Sequence, residues 1–154
     1  MPKKSLVSTR VIVNTDGGSR GNPGPSAIGV VIQDEKGNIL KEYGELLGGH
    51  MTNNEAEYEA VIFALKKLKA LYGKEKTKTL AVQFKVDSEL IANQLSGAWR
   101  VEEERMQLLY MKVHNLKFEF KKVEFTAVRR EKNTRADMLL NEALDREEGR
   151  LFRS

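Results

Sequence analysis

The sequence predicts a single α/β domain in which three antiparallel strands are followed by helices that alternate with two further strands. Two observations support this prediction. Apolar, β-branched runs separated by turn-forming residues fill the first third of the 154-residue chain. Beyond residue 52, apolar residues recur mostly at helical spacing, and two alternating segments typical of strands interrupt them. A chain of this length can bury a hydrophobic core without a stabilising disulfide, and it contains no cysteine to form one.

The first strand, residues 10–14, has three consecutive β-branched apolar residues, a pattern typical of a strand covered on both faces. Asp16 follows it, and four glycines and two prolines come next. Their spacing is not G-x-G-x-x-G, and Gly73-Lys74 is followed by Glu75, so neither phosphate-binding loop is present. An ionised carboxylate beside a buried strand raises the free energy of the folded state unless a positive charge lies next to it. Asp16 therefore points to a metal ion.

The next two strands, residues 27–33 and 39–47, complete a three-stranded antiparallel meander around a turn at residues 34–38. Thr52 and Glu55 have the spacing of a capping box, which predicts a helix from about Asn53. The predicted buried face of this helix consists of Tyr58, Val61, Ile62, Leu65, Leu68 and Tyr72. Glu57 lies one turn before Val61 and is predicted to point towards the sheet, whereas Glu59 points outward.

The rest of the chain alternates helices with strands. Gly73 is predicted to close the first long helix, and residues 80–86 form a strand that ends at Asp87. Because a strand reached through a helix is normally parallel to its neighbour, Asp87 and Asp16 are expected at one edge of the sheet. Asp87 or Ser88 caps the next helix. A further helix over residues 102–116, a strand over 123–128 and a last helix capped by Asn133 complete the prediction, with residues 147–154 a frayed tail or a partner contact.

The net charge is +4, and the basic residues are unevenly distributed. Between residues 66 and 78 there are six basic residues and one acidic, and between 117 and 135 there are seven and three. Such clusters are either solvated faces or contacts for a polyanion such as nucleic acid. No apolar run is long enough to span a bilayer and no secretory signal is evident, so we expect a cytoplasmic protein without a membrane contact, monomeric by default.

Four acids, two at strand ends and two on helices, are the candidate site: Asp16, Glu57, Asp87 and Asp137. Each has an alternative role, as a turn former, a solvated residue, a helix cap and a partner of a helix dipole, respectively. One shared site explains all four together better than four coincidences do. With no cysteine, and only His50 and His114 as nitrogen ligands, the oxygen-rich set favours magnesium or manganese over zinc.

Four motifs resemble those of the type 1 ribonuclease H family, over nearly the whole chain. They are Thr15-Asp16-Gly17-Gly18-Ser19-Arg20-Gly21-Asn22-Pro23-Gly24, Met51-Thr52-Asn53-Asn54-Glu55-Ala56-Glu57, Asp87-Ser88 and Arg130-Glu131-Lys132-Asn133-Thr134-Arg135-Ala136-Asp137. The resemblance implies a five-stranded mixed sheet flanked by helices, with three antiparallel and two parallel strands. It also implies that the four acids hold two divalent ions, Asp16 bridging them. Asn22, Asn53 and Asn54 would contact an RNA–DNA hybrid and Thr52 a DNA phosphate, although turn and capping chemistry explains the three asparagines equally well.

By this resemblance the protein is an endonuclease that cuts the RNA strand of RNA–DNA hybrids and leaves 5′-phosphate and 3′-hydroxyl ends. Double-stranded RNA or branched DNA as substrate, and a non-catalytic hybrid-binding module, remain alternatives. Two departures from the family pattern stand out. Arg130 stands where many members have a mobile histidine before the last helix, and the basic helix and loop that some members insert after Trp99 is missing, so we assign the chain to the form without this basic protrusion.

Overall fold

The structure, a computed structural model, describes residues 9–153, with side chains described as far as residue 150. Its strands are β1 (Arg10–Ser19), β2 (Gly24–Asp34), β3 (Ile39–Met51), β4 (Ala81–Val86) and β5 (Lys122–Ala127). The α-helices of this part of the chain are α1 (Asn53–Thr77), α2 (Glu89–Leu95), α3 (Glu104–Lys117) and α4 (Thr134–Arg153). None of the helices within residues 9–153 is long and apolar enough to cross a membrane.

The five strands form one mixed sheet in the order β3-β2-β1-β4-β5. β1, β2 and β3 are antiparallel neighbours, while β4 is parallel to both β1 and β5. This topology confirms the predicted fold class. The β1–β4 ladder ends at the pair Asn14 and Lys85, and two residues further along each chain come Asp16 and Asp87. The parallel register therefore brings these two acids to one edge of the sheet.

β1 is longer than predicted, and Asp16 lies within it. The strand continues through Gly17 and Gly18 to Ser19 because these residues pair with the opposing end of β2. The acid is thus part of a hydrogen-bonded ladder, where its backbone is paired with Gly29. This pairing fixes the carboxylate more firmly than the predicted loop would.

The predicted helix α1 begins as expected, since Thr52 and Glu55 form the complete capping box. Gly73 interrupts the helix with a φ of 83°, but helical backbone resumes and continues to Thr77. α4 extends through residues 147–150, where we predicted either a frayed tail or a partner contact, and ends at Arg153. The six residues of the predicted buried face of α1 are all buried.

Helices cover the sheet on both faces. Ile28, Val30 and Ile32 of β2 pack with α1 in the main core, which also includes residues of α2 and α3. The alternate β2 residues Ala27 and Val31 pack against α4. β2 is therefore buried on both sides. The prediction of two covered faces is only partly right for β1, where Ile12 is half-buried between the fully buried Val11 and Val13.

Gly29 allows α4 to lie directly on β2. A Cβ atom at this position would be 1.9 Å from the carbonyl oxygen of Ala136, far inside van der Waals contact. We expect Gly29→Ala to lower the free energy of unfolding by about 1–3 kcal/mol, the usual cost of overpacking. Urea denaturation measures the change. Gly48→Ala is the matched control, because a Cβ there meets no atom within 4 Å. Equal urea midpoints for both variants would contradict the close packing of α4 on β2.

Candidate active site

The four predicted acids line one cavity at the edge of the sheet where β4 ends. Asp16, Glu57 and Asp87 each offer a carboxylate oxygen, and these three atoms lie within 4.8 Å of one another. Asp137 lines the same cavity, close enough to Asp16 for its carboxylate to raise the pKa of Asp16. The structure therefore brings together all four acids that the sequence analysis selected, with Asp16 beside Glu57 and Asp87 on one side and Asp137 on the other.

Close packing of α1 on β1 sets the position of Glu57. A Cβ on Gly17 would be 2.2 Å from the carbonyl oxygen of Ala56 and 2.5 Å from the backbone nitrogen of Glu57. Only glycine accommodates this approach, and it brings the first turns of α1 against the residue that follows Asp16. Glu55 remains at the capping box, where its Oε1 accepts the Thr52 N–H at 3.0 Å. Of the three acids at residues 55, 57 and 59, Glu57 is the one that lines the cavity.

Asp87 is available to the cavity because its neighbour caps α2. The Ser88 hydroxyl accepts the Ile91 N–H at 3.2 Å, which settles the choice between Asp87 and Ser88 as the cap. The carboxylate of Asp87 is then not used at the helix terminus. It follows β4 directly and lies beside Asp16.

Asn133 joins the start of α4 to β1 next to Asp16. Its side chain accepts a hydrogen bond from Asn14 Nδ2 at 3.0 Å and donates one to the Thr15 carbonyl at 2.9 Å. Asn133 precedes α4 as predicted, and its carbonyl accepts the Asp137 N–H at 3.2 Å. The sequence analysis missed the contact with β1. Because Asn133 is almost fully buried, it fixes the distance between the strand that carries Asp16 and the helix that carries Asp137.

A second link, also missed, holds Asp137 from the other side. Asn141, one helical turn further on, donates from Nδ2 to the Asp137 carbonyl at 2.9 Å and to its Oδ1 at 3.3 Å. Arg20 in turn donates to the side chain of Asn141 at 3.2 Å and forms ion pairs at 2.7 Å with Asp145 and Glu148. The four-residue spacing between Asp137 and Asn141 on a helix was the available sequence signal.

Burial and mutual repulsion raise the pKa values of the acids. Burial, followed by the charges of Asp87, Glu57 and Asp137, raises the pKa of Asp16 from 3.8 to about 8. Burial and the charge of Asp87 raise the pKa of Glu57 from 4.5 to about 8. The pKa of Asp87 is also raised by burial, and Asn133 and Arg130 oppose this shift. Near neutral pH, the fully ionised cluster is therefore unfavourable without a compensating positive charge.

The donor set fits a hard divalent cation. Three carboxylate oxygens within 4.8 Å of one another offer anionic oxygen ligands, and Asp137 adds another at the cavity. Magnesium, manganese and calcium prefer such ligands, whereas zinc sites usually use cysteine or histidine. His50 lies exposed on β3 opposite Pro25 and does not line this cavity. The cluster is thus compatible with divalent metal binding.

The predicted nucleic-acid contacts lie beside the acids on one connected surface. Asn22 Oδ1 accepts the Asn53 N–H at 3.0 Å, and Asn53 Oδ1 accepts the Ser19 N–H at 2.9 Å. These carbonyl oxygens are used within the protein, which supports the capping and turn role for that half of each amide. Asn22 and Asn53 are exposed, whereas Asn54 and Thr52 are half-buried. Asn53 also lines the acidic cavity.

Comparison with known proteins identifies the family. The model of the reverse transcriptase-like family matches residues 14–143. The crystal structure of LC11 ribonuclease H1, isolated from compost by a metagenomic approach, has 45% sequence identity and a TM-score of 0.83, covering 90% of this chain and 98% of that one. This chain belongs to the type 1 ribonuclease H family. Ribonuclease H1 of Halobacterium salinarum has 40% identity and a TM-score of 0.79, covering 88% of this chain and 98% of the crystallised one.

The relatives differ from this chain in length. The chain spans 65% of the curated ribonuclease HI of Halobacterium salinarum, with 40% identity over 136 residues. It spans 36% of a bifunctional protein of Mycobacterium tuberculosis, with 35% identity over 137 residues and 88% of this chain covered. The crystal structure of LC11 ribonuclease H1 in complex with an RNA/DNA hybrid has 45% identity and a TM-score of 0.84 and covers 89% of this chain and 98% of that one.

Two departures of this chain from the family pattern lie at or near the acidic cavity. Arg130 begins a short 3-10 turn, lines the acidic cavity and lowers the pKa of Asp87 through its charge. Residues 96–103, between α2 and α3, contain no helix, and Arg100 is their only basic residue. Trp99 in this connection is 49% exposed. Cationic groups near the cavity therefore come from Arg20 and Arg130.

We expect Asp16→Asn to stabilise the metal-free protein near pH 8. Because the pKa of folded Asp16 is about 8 rather than 3.8, the folded state binds more protons than the unfolded state between these values, and stability falls as pH rises. Because asparagine has no charge at any of these pH values, the substitution removes this loss of stability. Thermal melts in EDTA should show a gain of roughly 2–8 °C at pH 8, about 1–2 kcal/mol, and little gain at pH 4. A variant that melts lower than wild type at pH 8 would contradict the repulsion.

We expect Asn133→Ala to lower the free energy of unfolding by about 1–3 kcal/mol, because Asn14 Nδ2 and the Thr15 carbonyl lose buried partners. Urea denaturation measures the loss. Asn115→Ala is the matched control, since Asn115 is exposed on α3, and its effect should stay within about 0.5 kcal/mol. If the two variants unfold at the same urea concentration, the Asn133 bridge does not hold α4 on β1.

Proposed function

We propose that this domain is a divalent-metal-dependent endonuclease that hydrolyses the RNA strand of RNA–DNA hybrids. The convergence of Asp16, Glu57, Asp87 and Asp137 on one cavity carries the proposal. Membership of the ribonuclease H family supports it, as does the relative that was crystallised with an RNA/DNA hybrid. The products would be 5′-phosphate and 3′-hydroxyl ends, and a cytoplasmic monomer is the state in which we expect the domain to act.

In this proposal the four acids hold two magnesium or manganese ions. Asp16 would be shared, since it contacts both the Glu57–Asp87 pair and Asp137. Bound cations of this kind activate water for attack on a phosphodiester and stabilise the charge on the departing oxygen. The contribution of the chain is to keep the carboxylates together against their repulsion. Asn133 and Asn141 perform this positioning on the α4 side, and the Gly17 contact performs it on the α1 side.

The surface next to the acids is suited to a minor groove that displays 2′-hydroxyl groups. Asn22, Asn53 and Asn54 are short amides in one connected segment, and short amides can donate to and accept from such hydroxyls. We assign them to hybrid binding, and Thr52 to a DNA phosphate. Arg130 is assigned to phosphate attraction at the cavity rim. A guanidinium stays protonated near neutral pH, so Arg130 would not carry protons as a histidine could.

Double-stranded RNA or branched DNA is the second candidate substrate. The sequence between α2 and α3 is the reason to keep these substrates as candidates. It lacks the basic helix that some members of the family use to hold their substrate. A non-catalytic binding module is the weaker alternative, since such a module has no need of four clustered acids whose repulsion destabilises the fold. Parallel cleavage assays on different duplexes separate these possibilities.

We expect the wild-type protein to cut a labelled RNA–DNA hybrid in magnesium and to lose this activity in EDTA. Asp16→Asn and Glu57→Gln should each lower kcat by on the order of 10³-fold, because each removes an anionic ligand that no neighbour replaces. Glu59→Gln is the matched control on the same helix and should cut at the wild-type rate. The same assay with double-stranded RNA and double-stranded DNA measures substrate preference.

Two results would decide against this function. Wild-type protein that binds the hybrid but cuts nothing in magnesium or manganese would identify a binding module. Faster cleavage of double-stranded RNA than of the hybrid would assign the domain to the second candidate substrate.

A further inference from the structure

An aromatic and basic surface lies at the other end of the sheet from the acids. It surrounds a shallow cavity of about 320 Å³ between the end of α3 and the start of β5, lined by His114, Phe118, Phe120 and Val123 together with Lys117, Lys121 and Lys122. We call it the α3–β5 surface. Lys122 is paired in register with Ala81 of β4, six residues before Asp87, so about 20 Å of parallel strand separate this surface from the acids.

Phe118 is the aromatic side chain that this surface presents to solvent. It is 77% exposed, and its ring meets the edge of the His114 ring with centroids 5.2 Å apart at 87°. His114 in turn stacks on Tyr110 at 6.1 Å and 11°. Its Nδ1 atom is buried without a hydrogen-bond partner in the described part of the chain, which costs free energy unless a partner is supplied. The rings of Tyr110, His114 and Phe118 thus pack on one another in sequence. The outermost ring, that of Phe118, remains exposed to solvent.

The charge around this series is predominantly positive. Lys122 has a neighbouring carboxylate, Glu124, at 3.5 Å, and Lys117 lies over the Phe125 ring at 5.9 Å. Glu119 is bound by Lys69 at 2.5 Å. The charges of Lys74 and Lys78 also lower the pKa of Glu119. Lysines of α1 and the lysine that follows α1 therefore offset the charge of Glu119, which lies next to the α3–β5 surface in the chain.

We propose that the α3–β5 surface binds single-stranded nucleic acid, with a base stacked on Phe118 and backbone phosphates at Lys117, Lys121 and Lys122. An exposed aromatic ring among cations is the arrangement by which proteins hold single strands, because every unpaired base has a face that can stack. A duplex has no free base face except at its ends. The lysines supply the sequence-independent attraction to phosphate. The α3–β5 surface would therefore bind an unpaired flank of a substrate or a separate single strand.

This surface is independent of the proposed cleavage, since its residues lie outside the acidic cavity. Binding is measured in EDTA, where no divalent ion is available to the acidic cavity and no strand is cut. The probe is a fluorescent single-stranded DNA of about 12 nucleotides, titrated with the full chain in about 50 mM salt. Phe118→Ala should weaken binding about tenfold, the loss expected when one stacked base is released. Lys121→Glu should weaken it as well and reduce the dependence of affinity on salt.

Matched controls lie on α3, the helix that ends next to Phe118. Leu108→Ala removes another exposed apolar side chain, 66% exposed, and Lys112→Glu makes the same charge change as Lys121→Glu outside this cavity. Both should bind the probe within about twofold of wild type. Ultraviolet crosslinking of a bromouracil-substituted probe, followed by peptide mapping, should identify the peptide that contains Phe118. Circular dichroism and the rate of hybrid cleavage should be unchanged in Phe118→Ala.

Three results would overturn the proposal. Equal affinity of Phe118→Ala and Leu108→Ala would show that no base stacks on Phe118. A crosslink confined to peptides of the acidic cavity would place the strand at the other site. Concentration-dependent self-association that Phe118→Ala abolishes, without any effect on probe binding, would assign the surface to contact between copies of this chain. Failure of hybrid cleavage alone would count against the proposed function and leave this proposal intact.

Discussion

Repulsion between buried carboxylates is the constraint on which the site depends. Asp16, Glu57 and Asp87 hold oxygens within 4.8 Å of one another, and burial raises the pKa of two of them to about 8. A site of this kind lowers the stability of the empty protein and is favourable only when positive charge is bound. The same property that destabilises the fold therefore prepares it for divalent cations.

The fold opposes this repulsion through backbone contacts and amide bridges rather than through ion pairs at the acids. Gly17 and Gly29 let helices on both faces of the sheet approach the backbone of β1 and β2. Asn133 ties α4 to the residues just before Asp16, and Asn141 holds Asp137. These neutral contacts hold the carboxylates in place but leave their charge uncompensated. Cation binding is thereby strengthened, because protein side chains compensate little of the charge.

Charge is separated along the sheet. The acids lie where β4 ends, and lysines of α1, α3 and β5 lie where β4 and β5 begin. A nucleic acid is repelled by the first region until cations are bound, whereas the second attracts it directly. The α2–α3 connection is short and carries a single basic residue, so it adds little to the attraction for phosphate.

The sequence alone determined the order of strands and helices, the capping box at Thr52 and the four acids, because local periodicity, turn chemistry and motif spacing are properties of neighbouring residues. Family resemblance supplied the five-stranded mixed sheet, and the structure supplied the order of its strands. Tertiary structure decided that β1 continues past Asp16. It also decided that the Asn133 side chain forms hydrogen bonds with β1, and that Arg20 and Asn141 support Asp137. It also left Phe118 exposed at a cavity. These features depend on contacts between residues that are distant in the chain, or on which side chains remain exposed after the helices and the sheet have packed. The local sequence pattern therefore does not predict them.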